Sequence, residues 1–380
     1  MGLWQFATAG EIRFGAGAAR ELPSIVRALG QRPLLAAAPS QVRAGSLPRS
    51  FNCVTVEVSR EPSVELVREG VRLAAAAGCD VVVAIGGGSA IDAGKAIAAL
   101  AANGGDVLDY LEVIGAGRTL ESPSLPFVAV PTTAGSGAEV TKNAVLASRE
   151  HGVKASLRSP FLLPRAALVD PELTYDLPPA ITAATGMDAL TQLIEPYVSP
   201  RANPMTDALC LEGIRRAAAA LPRVYDDGLD EAAREAMSLA SLFGGLALAN
   251  AGLGAVHGFA APIGGAFDAP HGAVCAALLP HVMEANVRAL RSRANGGEAL
   301  RRYQIIARLL TGRLDAHPEE GAECALLLAE QLRIPRLATY GIRPGDIAVL
   351  AEKAAQATSM KGNPITLPPE ALAGILEAAL

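Results

Sequence analysis

Between residues 32 and 170 short apolar runs alternate with helix-patterned stretches, and beyond residue 180 the strands stop. RPLLAAAP (32–39) and CVTVEVS (53–59) read as strands, and DVVVAIGGG (80–88) as a buried strand running into a glycine turn. SVELVREGVRLAAAAG (63–78) places apolar residues at helical spacing, with Pro62 where a first helical turn would start. AIDAGKAIAALAA (90–102) is a second helix and LPFVAVP (125–131) a further strand, and β-like runs follow near 153–158 and 166–170. Strands alternating with helices imply a parallel sheet with helical crossovers.

Residues 180–380 carry long Ala- and Leu-rich helical patterns. Pro178 and Pro179 punctuate the change. A chain of 380 residues exceeds the size at which single cores stop growing. The pattern therefore predicts an α/β protein of two domains: a Rossmann-like parallel-sheet domain over 1–178 and an all-α domain over 179–380. Open α/β sheets bind ligands at the carboxyl ends of their strands. A second domain closing over that edge is expected to make the catalytic cleft.

Composition narrows the function classes. A net charge of −5 gives no basic surface for nucleic acid or an anionic membrane, and 4% aromatics argues against base-stacking platforms. The five cysteines, Cys53, Cys79, Cys210, Cys275 and Cys324, are widely spaced with no CxxC, which suits reduced thiols in a cytoplasmic protein. The first fifteen residues lack a basic region followed by an apolar run, so no secretory signal is expected. The uncharged stretch 239–256 has the length of a membrane span, but its Ala/Gly content, Asn250 and the following His257 predict a buried helix.

Gly86, Gly87, Gly88 and Ser89 follow an apolar strand and open a helix. Glycines admit close backbone approach, and a helix N-terminus offers free N–H groups and a positive dipole end, a natural seat for a pyrophosphate. The loop is not GxGxxG, because residue 91 is Ile. It is not a P-loop either: Ser stands at 89 and Ala at 96, which disfavours ATP chemistry. A tight turn without a ligand explains the loop equally well. After the next strand, PTTAGSGAEVT (131–141) offers Thr132, Thr133, Ser136 and Thr141 to phosphate, ribose or carboxamide, or simply caps a turn. Two such loops at two strand ends favour a dinucleotide.

A third constellation is of metal type. His257 and His271 lie fourteen residues apart among glycines, and Asp188 sits on a helical segment with Gln192 one turn later on the same face. One carboxylate and two imidazoles can hold a divalent ion with an open position. From spacing alone, two packing or capping histidines is the favoured reading.

Taken together, GGGSAIDAGK (86–95), PTTAGSGAEVT (131–141), GMDALTQLIEPYVS (186–199) and VHGFAAPIGGAFDAPHG (256–272) resemble the iron-containing (group III) alcohol dehydrogenases. EIRFGAGAARELP (11–23) and SMKGNPI (359–365) extend the resemblance over nearly the whole chain. The resemblance implies a dehydroquinate synthase-like fold with a dinucleotide-binding α/β domain, an all-helical metal-binding domain and a homodimer or larger assembly. It implies NAD or NADP as cofactor, Fe(II) or Zn(II) as metal, and a small alcohol or aldehyde as substrate. Asp188, His257 and His271 match the family's catalytic metal ligands. Gln192 stands where a further histidine is expected and would ligate through its carbonyl oxygen. Ala261 stands where the family often has a histidine near the nicotinamide, which removes a proton relay. Asp92 is placed with the GGGS loop as a candidate for holding the dinucleotide, and Lys154 resembles a family lysine near the cofactor, although a solvated surface lysine explains Lys154 nearly as well. The Ala37–Ser40 stretch lacks the carboxylate that takes the ribose 2′-hydroxyl, so NADP is permitted. Glu195, seven residues after Asp188, is expected to be structural, with Pro196 beside it.

Three rivals remain open at this stage. They are a metal-independent reductase resembling maleylacetate reductase, a lyase or cyclase resembling dehydroquinate synthase, and a catalytically inactive cofactor-binding homologue. Asp188 and the dehydrogenase-like loops weigh against the first. The second lacks its basic phosphate-binding residues, and Gln192 with Ala261 is the case for the third.

Overall fold

A computed structural model describes residues 3–44, 52–148, 150–292 and 297–380. The chain divides into two compact units. One comprises Ala7–Thr133 and Gly137–Tyr175. The other comprises Asp176–Leu380 with Ala134–Ser136 and the described residues up to Phe6.

The first unit is built on six parallel strands: β1 (Ile12–Phe14), β2 (Pro33–Ala37), β3 (Val54–Glu57), β4 (Val81–Gly86), β5 (Phe127–Pro131) and β8 (Ala166–Val169). Their order is β1-β8-β5-β4-β2-β3. Every residue of β2, β4, β5 and β8 is buried, as continuous apolar runs require when both sheet faces are covered. The covering helices are α1 (Leu22–Leu29), α2 (Pro39–Ala44), α3 (Val64–Ala77), α4 (Gly88–Asn103) and the short α5 (Val107–Tyr110). Pro62 does not start α3 but precedes its cap: the Ser63 hydroxyl accepts the Leu66 N–H, and the Pro62 carbonyl accepts from Ala147.

The run near 153–158 joins no parallel sheet. It is β7 (Val153–Arg158), paired antiparallel with β6 (Asn143–Ser148) in a separate hairpin. Buried and half-buried residues alternate along β6, as in a strand covered on one face.

The chain leaves β2 toward β3 on one side and returns through β4 on the other. The strand order therefore reverses between β2 and β4, and a crevice opens beyond the carboxyl ends of strands at such a point. Gly86 ends β4 there with φ +156°, and a Cβ at this position would press to 2.7 Å from that of Ala90. Only glycine lets the strand turn into α4 so abruptly.

Lys95, on α4, is fully buried and spends all three ammonium protons on the segment after β5. It donates to the Thr141 carbonyl (2.8 Å), the Thr141 hydroxyl (2.7 Å) and the Asn143 carbonyl (3.0 Å). Burial pulls its pKa down to about 8 and pushes that of neighbouring Glu139 up to about 7.

The second unit is helical: α6 (Pro179–Val198), α7 (Pro204–Asp226), α8 (Glu231–Ala251), α9 (Ala255–Ala266), α10 (His271–Arg291), α11 (Gly297–Thr311), α12 (Pro318–Gln331), α13 (Ile347–Gln356) and α14 (Pro369–Ala379). Every residue of α6 from Gly186 to Val198 is buried, as for a helix enclosed by neighbours. Ala134 belongs to this unit's core, so part of the loop after β5 is built into the helical body.

The uncharged stretch 239–256 is not one helix. It breaks after α8, and α9 sets off at 97°. Gly252, at φ +73°, makes the turn; a Cβ there would fall 1.8 Å from an Arg201 guanidinium nitrogen. Among the described residues no single helix is long and apolar enough to cross a membrane.

Two predictions follow from the Lys95 anchorage. Lys95→Met strands three buried acceptors and should cost about 3 kcal/mol, read as a lower denaturant midpoint at unchanged slope. Between the ordinary carboxylate value of 4.5 and about 7, the folded chain keeps the Glu139 proton that the unfolded chain releases. Stability from this group is complete below that window and declines as pH rises through it. Glu139→Gln should flatten that decline, seen by comparing midpoints on either side of the window.

Candidate functional site

Three helices bring the metal-type residues together. Asp188 lies mid-way along α6, His257 in the first turn of α9, and His271 at the first residue of α10. Asp188 Oδ1 stands 3.5 Å from His257 Nε2 and 3.9 Å from His271 Nε2. Cys275, one turn along α10 from His271, joins them: its Sγ is 3.6 Å from His271 Nε2 and 3.9 Å from His257 Nε2. The ligating atoms of all four lie within 4.8 Å of one another. Asp188, His257 and Cys275 are buried, whereas the His271 side chain keeps 39% of its surface accessible.

The sharp turn before α9 is held by polar groups. Glu195 Oε1 accepts the Val256 N–H at 2.7 Å, and Asn363 Oδ1 accepts that of Ala255 at 3.4 Å. Asn363, from the SMKGNPI block, is itself held by paired amide bonds with Asn286. Glu195 Oε2 lies 2.6 Å from His257 Nδ1. A carboxylate oxygen there makes Nδ1 the donor, so the Nε2 lone pair faces Asp188 and Cys275. Glu195 therefore orients an imidazole, and the expectation of a merely structural role is corrected. Pro196 does not end α6, which continues to Val198.

Gln192 is placed differently from the expectation. Its amide nitrogen, not its carbonyl oxygen, faces Asp188, donating to Oδ2 at 2.9 Å. A carboxylate attracts the donor end of an amide, so Gln192 steadies Asp188 and turns its carbonyl oxygen away from that carboxylate.

Asp188 Oδ1 is then left buried with no hydrogen-bond donor. An orphaned carboxylate oxygen among two imidazole nitrogens and a sulfur is what a divalent cation would satisfy, so the residues present fit a metal. The same negative groups that would hold a cation also favour protons on the two imidazoles. Burial raises the Asp188 pKa, but the imidazoles of His257 and His271 beside it hold it below the usual carboxylate value. The neighbouring Cys275 and Asp188 push His271 up to about 9 against the effect of burial. For His257, burial acts downward and is overcome by Cys275, Glu195 and Asp188, leaving it well above the ordinary imidazole value.

The dinucleotide candidates lie in the α/β unit, with one exception. Gly86 ends β4, Gly87 caps α4, and Gly88 and Ser89 form its first turn, where backbone N–H groups lack intrahelical acceptors. Thr132 and Thr133 follow the adjacent strand β5. The Thr132 N–H bonds the Gly86 carbonyl, and the Thr133 side chain lies 3.4 Å from where a Gly87 Cβ would stand. Asp92 points to the hairpin and accepts the Val145 N–H at 3.0 Å. The Thr141 hydroxyl accepts from Lys95, and Lys154 pairs with Glu61 at 3.1 Å. Ser136 falls in the helical unit, and Ala261 is exposed on α9.

Residues 182–380 match the Fe-containing alcohol dehydrogenase family, C-terminal region, and residues 9–171 match iron-containing alcohol dehydrogenase. The chain belongs to the iron-containing alcohol dehydrogenase family. It is 37% identical over 319 residues to alcohol dehydrogenase 4 of Saccharomyces cerevisiae, spanning 84% of this chain and 80% of the yeast protein. To the 1,3-propanediol dehydrogenase of Klebsiella pneumoniae it is 38% identical over 309 residues, spanning 81% and 78% of the two chains. A crystal structure of 1,3-propanediol oxidoreductase superposes with a TM-score of 0.90 at 33% identity, over 100% of both chains. This member of the iron-containing alcohol dehydrogenase family is accordingly a nicotinamide-dependent oxidoreductase acting on CH–OH groups.

Glu195→Gln isolates the orienting bond. The new amide can still accept from Val256, but it presents N–H to Nδ1, which favours the tautomer with a proton on Nε2. Zinc affinity measured by competition with a chromophoric chelator should fall about 10- to 100-fold with helix content unchanged. Unchanged affinity would show that Glu195 only packs.

Proposed function

We propose that this alcohol dehydrogenase interconverts small primary alcohols or diols with their aldehydes, at a divalent metal held by Asp188, His257 and His271. The observation that carries the reading is the orphaned, buried Asp188 Oδ1 with two imidazole nitrogens turned toward it. The diol-size substrate class is supported by the similarity to 1,3-propanediol dehydrogenase.

When bound, the metal supplies Lewis acidity to the substrate oxygen and lowers the pKa of an alcohol there. Asp188 contributes the negative charge, steadied by Gln192. His257 is locked by Glu195 with Nε2 free, and the accessible side of His271 leaves room for a small molecule. In oxidation the alcohol's O–H proton leaves and its C–H bond breaks, the hydride passing to the nicotinamide. Ala261 offers no proton acceptor, so the proton goes to solvent.

In this reading residues 1–178 serve the dinucleotide and 179–380 the metal and substrate. The first-turn N–H groups at Gly87, Gly88 and Ser89, beside Gly86, bind the pyrophosphate, and Thr132 and Thr133 supply hydroxyls next to it. Ser136, Asp92, Thr141 and Lys154 act around this loop, the last three by shaping the segments they bond. No carboxylate lies in Ala37–Ser40 at the β2 end, so NADP is accepted as well as NAD. A homodimer or larger assembly in the cytoplasm completes the proposal, in keeping with five free cysteines.

The test follows nicotinamide absorbance with NADH and NADPH against short aldehydes, and with the oxidised cofactors against alcohols and diols. Turnover should vanish on chelation, return with Zn(II), Co(II) or Fe(II), and fall about 100-fold or more in Asp188→Asn. Activity indifferent to both treatments would instead place the chain with the metal-independent reductases.

A further inference from the structure

The donor set has a fourth member that the aspartate and two histidines do not explain. Cys275 is completely buried, and its sulfur faces both imidazoles that surround Asp188 Oδ1. In a tetrahedral zinc site, bonds of about 2.0–2.3 Å set the ligand atoms about 3.3–3.8 Å apart. The four separations here are 3.5 Å from Asp188 to His257, 3.9 Å from Asp188 to His271, 3.6 Å from His271 to Cys275, and 3.9 Å from His257 to Cys275. These are four of the six edges of such a tetrahedron, slightly expanded, and all the ligating atoms lie within 4.8 Å of one another.

The position that should have brought a third imidazole holds Gln192, whose amide nitrogen is committed to Asp188. The helix facing it supplies a sulfur instead. Cys275 stands one turn after His271, so α10 presents two donors from one face, as His271 begins the helix and Cys275 follows at the next turn.

We propose that Cys275 is a metal ligand, binding as a thiolate and replacing the histidine that Gln192 has displaced. This inference rests on the metal-dependent reading above. The exchange has two chemical consequences. Asp188 and a thiolate together neutralise a divalent ion, where one carboxylate and three neutral imidazoles leave a net positive site. A sulfur donor also shifts preference toward zinc and cobalt and away from manganese and magnesium. Binding releases the thiol proton to solvent; no electron transfer is involved.

The decisive experiment replaces the native metal with Co(II) in the full chain and records its spectrum. A near-ultraviolet thiolate-to-cobalt charge-transfer band should accompany the visible d–d bands. It should be lost in Cys275→Ser, with the other four cysteines in place. X-ray absorption of the wild-type zinc protein should find a sulfur neighbour at about 2.3 Å, a reading that does not depend on the variant folding. Cobalt bound with d–d bands but no charge-transfer band, or a zinc shell of nitrogen and oxygen alone, overturns thiolate ligation and leaves the metal reading intact. Failure of Co(II) or Zn(II) to bind at all overturns both.

Discussion

Glu195 makes two bonds on which the candidate metal centre depends. One oxygen takes the Val256 N–H at the start of α9, and the other takes Nδ1 of His257 one residue later. The first bond exploits the turn at Gly252, which leaves the opening N–H groups of α9 without helical acceptors and with a positive dipole end beside them. The second sets the tautomer of the imidazole. Position and protonation of His257 thus come from one carboxylate, buried on α6 two turns from Asp188. Without it, the histidine would have neither a fixed approach nor a committed lone pair.

The α/β half could be read from residues because fully buried strands appear as unbroken apolar runs, such as VVVAI before the glycine turn. The three-residue β1 and the half-buried β6 carried no comparable signal. They are held by pairing with β8 and β7, which only the folded chain supplies. Asp188, His257 and His271 were visible through resemblance, since nothing local makes an aspartate and two distant histidines converge. Cys275 was missed although it stands four residues after His271, because a lone cysteine in an apolar helix looks like a packing residue. Glu195 was set aside on account of Pro196, yet α6 continues past that proline to Val198.

Polar residues of the sequence motifs turned out to support the loops as much as to face a ligand. Lys95, two turns into the helix after the glycine turn, gives all its protons to the backbone and hydroxyl of Thr141 and the carbonyl of Asn143. Asp92 similarly ties α4 to the hairpin through Val145. In the proposed reading the backbone of the glycine loop meets the cofactor, and these side chains shape the segments around it.

The assignment of Ala134–Ser136 to the helical unit has a consequence for how the chain can be divided. Counting the described residues up to Phe6, the polypeptide passes between the units after Phe6, Thr133, Ser136 and Tyr175. A single cut near residue 178 would therefore leave the N-terminal fragment carrying a piece of the helical unit's core, Ala134. The two bodies are compact but not separable modules, and recombining halves from different relatives would have to carry the threaded tripeptide along with its helical partner.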